Sequence, residues 1–151
     1  MVKPATVIKL LESLSEHIEL LRPAQGLTLA ELTGDPLRYG GVLHYLQLAI
    51  QHVTDIGAHL LAGSGRAVPD DYREIILKLG RHRIIPYEFA ERIAPMAGFR
   101  NILVHEYLTV DPTIVYDNLQ HGLADFELFI EHIYDFLRRE GYIEGGEGDA
   151  G

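Results

Sequence analysis

From Tyr39 to Ala62 the chain carries one side chain with a firm charge at neutral pH, Asp55, and no Lys, Arg or Glu. A helical stripe runs through this span at Val42, Leu46, Ala49, Val53, Gly57 and Leu60. The face opposite holds His44, Leu48, Gln51, His52, Asp55 and His59. A helix with one face in water normally shows several charges on that face. Both faces of this helix are therefore expected to be covered, one by a bundle core and the other by something else. Asp35-Pro36 opens it with an N-cap acceptor and a proline at the first helical position, and Gly63-Ser64-Gly65 closes it near Ala62.

The flanking sequence has the same period. Val7, Leu11, Leu14, Ile18 and Leu21, separated by Glu12, Glu16 and Glu19, predict an amphipathic helix over 5–22. Residues 23–34 are expected to be a connection with one helical turn, because Thr28 and Glu31 have capping-box spacing but the run after them is short. Pro69-Asp70-Asp71 opens a shorter helix with Tyr72, Ile75, Ile76 and Leu79 as its stripe, ending near Gly80, and Pro86 opens another with Phe89, Ile93, Met96, Phe99 and Leu103 as its stripe. Pro95 lies inside that stripe. A proline in a helix interior costs ~3 kcal/mol, so a break or bend is expected near Ala94–Gly98. Asp111-Pro112 starts the last helix, which carries Val115, Leu119, Leu123, Phe126, Ile130, Ile133 and Leu137 and ends with Arg138 and Arg139 before Gly141. The pattern predicts an all-α, antiparallel bundle of about five helices in one domain, 1–143. The Gly- and acid-rich residues 144–151 are expected to be a disordered tail.

Composition narrows the function. There is no cysteine, which excludes disulfides, thiolate metal sites and cysteine catalysis. A net charge of −9 argues against a general nucleic-acid coat, so any RNA contact has to be local. No Lys/Arg-led signal segment opens the chain and no apolar run reaches the ~18 residues of a membrane span, so no membrane contact and a cytoplasmic location are expected.

The stretch Gly98-Phe-Arg100-Asn101-Ile-Leu-Val-His105-Glu-Tyr107 sets an arginine, an amide, an imidazole and a phenol among apolar residues. Asn101 and His105 are i,i+4 and share a face, and Arg100 and Tyr107 are i,i+7 and share another, roughly 100–160° away. Side chains spread so widely line one site only if the helix end is wrapped by another element or a second subunit. On these residues alone, a structural polar cluster tying two helices together is the plainer account, with a catalytic one as the alternative.

The stretch resembles the Arg-x4-His-x-Tyr motif of HEPN domains, in particular the HepT-like ribonuclease toxins. The resemblance extends to Asp55-Ile-Gly-Ala-His59 and to the Asp111-Pro112 helix start. It implies a homodimeric, metal-independent endoribonuclease with no cofactor, acting on RNA such as tRNA or mRNA at a dimer interface. Arg100 would hold the scissile phosphate, His105 would transfer protons and Asn101 would support them. It also implies a partner, a minimal nucleotidyltransferase antitoxin of the MntA type, that transfers AMP to Tyr107. Asp55 and His59 would support the site or position RNA. The residue types suit this chemistry: histidine titrates near neutrality, arginine forks onto phosphate oxygens, and a ribose 2′-OH serves as its own nucleophile. A different class stays open, a non-catalytic HEPN module that anchors or regulates a nucleotidyltransferase; the acidic charge favours it.

His52, Asp55 and His59 lie at i, i+3 and i+7, ligand types at workable spacing for a metal, but three ligands from one helix rarely enclose an ion. An Asp55–His59 hydrogen bond is the plainer expectation, and no metal is assigned. Tyr87, Tyr116 and Tyr134 fall on or near apolar stripes and are assigned to packing.

Overall fold

A computed structural model describes residues 1–145. Among them are α1 (Pro4–Leu21), a 3-10 turn (Arg22–Gly26), α2 (Leu29–Gly34), α3 (Pro36–Gly63), α4 (Tyr72–Arg81), α5 (Tyr87–Ile93), α6 (Met96–His105) and α7 (Pro112–Arg139), and no strand. The fold is an all-α bundle. Most of the tail expected at 144–151 lies outside the described residues.

Local signals account for most of the helix starts. Asp35 caps α3 by accepting from Leu37 N and Arg38 N, Asp71 caps α4 through Arg73 N, and Asp111 caps α7 through Thr113 N. The connection at 23–34 is more ordered than expected. Thr28 and Glu31 form a complete capping box, with Glu31 N donating to Thr28 Oγ1 at 3.1 Å and Thr28 N donating to Glu31 Oε1 at 2.9 Å. That box starts α2, short as it is, and Leu32 inserts fully into the core. The expected break falls at Ala94-Pro95 and separates α5 from α6.

α3 is the central helix and packs on α1, α2, α4, α6 and α7. Leu43, Ile50, Thr54, Ile56 and Leu61 are buried along with the stripe residues. The missing charges therefore have a cause within one chain, because other helices of the bundle cover much of the second face. His44 and Asp55 remain exposed, while Leu48, Gln51, His52 and His59 are half-buried.

Gly57 lets α4 lie close on α3. A Cβ there would meet Ile75 Cγ2 at 2.9 Å and Leu79 Cδ1 at 3.0 Å. This approach brings the first residue of α4, Tyr72, to α6. Phe129, fully buried on α7, anchors the core from the other side.

Candidate active site

Arg100 sits on the second turn of α6 and reaches back to α3 and α4. Its Nε donates to Gln51 Oε1 at 3.1 Å and its Nη1 donates to Asn101 Oδ1 at 3.2 Å. The guanidinium carbon lies 4.9 Å from the centre of the Tyr72 ring, within cation–π range. Gln51 in turn donates through Nε2 to Asp55 Oδ1 at 2.9 Å. A carboxylate, an amide, a guanidinium and a second amide thus form one chain of hydrogen bonds across α3 and α6.

Of the residues singled out in the sequence, Arg100, Asn101 and Asp55 are brought together. Gln51 and Tyr72 complete the group; periodicity had placed Gln51 only on the second face of α3 and Tyr72 only on an apolar stripe. His105 is exposed at the C-terminal end of α6 and is not tied to this network. It stands five residues beyond Arg100, about 7.5 Å along the axis and about 140° round it.

The shared face of Arg100 and Tyr107 is not realised. α6 stops at His105, where Glu106 N–H caps Ile102 O at 2.8 Å, and Thr109 N–H closes a turn onto Glu106 O. The physical reason lies downstream: Val110 has to enter the core and Asp111 has to cap α7, so the chain turns before another helical turn can form. Tyr107 stands in that turn, 55% exposed.

His52, Asp55 and His59 do not converge. Asp55 takes Gln51, while His59 Nε2 accepts the backbone N–H of Lys3 at 3.2 Å, at the start of α1. The Asp55–His59 hydrogen bond expected from spacing is replaced by these two. His52 turns toward His17 of α1, with ring centres 5.0 Å apart, and the Nδ1 of each is buried without a hydrogen-bond partner. Burial pushes both imidazoles below their usual range; His17 reinforces this at His52 and His44 at His17, against the opposing pulls of Asp55 and Glu16.

Beside α6 a groove of about 420 Å³ runs between Met96, Phe99, Ile102, Ile114 and Phe126. Neither Arg100, Asn101 nor His105 lines it. In a single chain Asn101 and His105 are exposed and Arg100 is half-buried.

A family model described as "Ribonuclease HepT-like" matches residues 14–133, which take in the Gln51–Asp55 pair, the whole of α6 and the turn with Tyr107. The chain belongs to the HepT-like ribonuclease family. Its enzyme class follows from that membership: it is an endoribonuclease. Among relatives of this HepT-like chain, a protein of Aphanizomenon flos-aquae named tRNA nuclease HepT is 28% identical over 138 residues, 90% of this chain and 92% of the relative. A protein of Shewanella oneidensis named mRNA nuclease HepT is 32% identical over 92 residues, 61% of this chain and 69% of its own. Among solved structures, a tri-AMPylated Shewanella oneidensis HEPN toxin in complex with its MNT antitoxin superposes with a TM-score of 0.77 at 25% identity, covering 85% of this chain and 96% of that one. No helix among the described residues is long and apolar enough to cross a membrane.

Proposed function

We propose that this HepT-like chain is the toxin of a two-component toxin–antitoxin pair, cleaving RNA without a metal through Arg100 and His105. The observation that carries the proposal is the restrained Arg100, held on one side of α6 with His105 open to solvent at the end of the same helix. The chemistry needs a base, an acid and a positive charge. A proton leaves the ribose 2′-OH, the oxygen attacks the adjacent phosphorus, and the 5′-oxygen of the next nucleotide leaves with a proton. Arg100 stabilises the charge that builds on the phosphorane, and His105 moves protons. Asn101, one turn before His105, holds Arg100 with its side-chain oxygen, which leaves its amide nitrogen to donate to substrate. Asp55 acts through Gln51. His59 organises the start of α1.

A homodimer supplies what one chain lacks. Arg100 and His105 point to different sides of α6 and neither lines the groove beside it, so a second copy that brings its own pair alongside would enclose the reacting phosphate. The row from His44 to Asp55 on α3 and the exposed end of α6 are the surfaces for that contact. One histidine then acts as base and its mate as acid.

Control is assigned to Tyr107, whose exposed ring in the turn after α6 is open to a modifying enzyme. The proposed partner is a minimal nucleotidyltransferase like the antitoxin bound to the Shewanella relative. The phenol oxygen would attack the α-phosphorus of ATP and pyrophosphate would leave. The attached AMP would add negative charge and bulk two residues from His105.

The experiment is RNA cleavage by pure protein in EDTA. Wild type should cut, and Arg100→Ala and His105→Ala should each abolish cutting with helicity unchanged. Cleavage by either variant at the wild-type rate would displace that residue from the mechanism, and activity lost on chelation would return a metal to it.

A further inference from the structure

We infer that Gln51 is a positioning residue for Arg100, and that a neutral amide stands there so that the guanidinium is oriented without its charge being cancelled. The inference rests on the proposal that Arg100 binds the scissile phosphate. An arginine side chain loses much rotamer freedom when fixed, and three contacts fix this one. Gln51 Oε1 takes Nε at 3.1 Å, the Tyr72 ring covers one face at 4.9 Å, and Asn101 Oδ1 takes Nη1 at 3.2 Å. The remaining terminal nitrogen, Nη2, has no protein partner among the described residues, and it is the group left to meet a phosphate oxygen.

The orientation of the Gln51 amide is itself determined. Its nitrogen donates to Asp55 Oδ1 at 2.9 Å, which leaves the oxygen for Arg100. With the amide flipped, an N–H would face a guanidinium that has no acceptor, and a carbonyl oxygen would face a carboxylate. Asp55 therefore locks the amide, and the amide locks the guanidinium. A direct Asp55–Arg100 pair would also hold the side chain, but it would neutralise the cation and compete with the phosphate. The amide between them keeps the two charges apart.

Two variants and two readouts test this. In Gln51→Ala, the Arg100 Nε–Hε signal in ¹⁵N NMR should lose its protection from exchange, and kcat/KM for RNA should fall about ten- to a hundredfold. The same substitution in an Arg100→Lys background should change kcat/KM less than about twofold, since lysine has no Nε–H fork to orient. Gln51→Glu keeps the acceptor, so the Hε protection should survive, while the slope of log affinity against log salt should shrink by about 0.7, one single-strand phosphate contact. Unchanged Hε exchange in Gln51→Ala, or an equal activity loss in both Arg100 backgrounds, would overturn the inference. If wild type fails to cut RNA, the catalytic proposal falls, and the Hε measurement still decides whether Gln51 orients Arg100.

Discussion

Two interior glycines should respond differently to the same substitution. Replacing glycine by alanine in a helix interior gains about 1 kcal/mol of propensity where the methyl has room. Gly122, inside α7, has room: a Cβ there meets nothing within 4 Å. Gly57, inside α3, has none, since a Cβ would stand 2.9 Å from Ile75 Cγ2 and 3.0 Å from Leu79 Cδ1. Forcing a methylene into a packed core costs about 1–3 kcal/mol. Gly122→Ala should therefore stabilise by about 0.5–1 kcal/mol, and Gly57→Ala should lie between no change and a loss of about 2 kcal/mol. At this chain length that is a rise of about 2–4 °C in Tm for the first variant and no rise for the second. Urea unfolding with unchanged slope is the assay, because the slope shows that the denatured state has not altered. The contact at Gly57 is relieved by Ile75 and Leu79 giving way or by α4 moving off α3, and the second would carry Tyr72 away from Arg100 and lower RNA cleavage as well. Equal stabilisation by both substitutions would refute the tight packing of Ile75 and Leu79 on Gly57.

The buried imidazoles give a pH dependence with a definite sign. Burial lowers the folded-state pKa of His17 and His52, so their contribution is fully present above the unfolded value near 6.5 and is lost as pH falls below it; unfolding midpoints should drop below pH 6.5, and His17→Gln with His52→Gln should flatten that drop. Light scattering over a dilution series should give twice the chain mass at micromolar concentration, and a clean monomer there would remove the shared site. Tyr107→Phe should keep cleavage but escape inhibition by ATP and a partner nucleotidyltransferase, with peptide mass spectrometry locating the adduct on Tyr107 in wild type; an adduct found only elsewhere would displace the control point.

Helix starts were legible because their signals are local. Asp35-Pro36 and Asp111-Pro112 each put an acceptor and a fixed φ side by side, and Pro95 breaks the long stripe where its missing N–H falls. The motif itself was legible as a run of residues, but its geometry was not. No glycine or proline follows His105 before Pro112, so nothing local announces that α6 ends there; burial of Val110 decides it. The Gln51–Arg100 bond joins positions 49 apart in sequence, and the His59–Lys3 bond positions 56 apart. Such pairings arise from how helices pack, and residue spacing along one helix carries no trace of them. The same limit made Asp55 and His59 look like partners.

The measurement that bears most directly on the mechanism is end-group analysis of RNA fragments produced in EDTA. Attack by the 2′-OH, with Arg100 on the phosphate and His105 moving protons, leaves a 2′,3′-cyclic phosphate on one fragment and a 5′-hydroxyl on the other. Wild type should give those ends, and His105→Ala should give no fragments at all. Fragments carrying 5′-phosphate and 3′-hydroxyl would mean that water or a metal-bound hydroxide attacks instead, and would contradict the account.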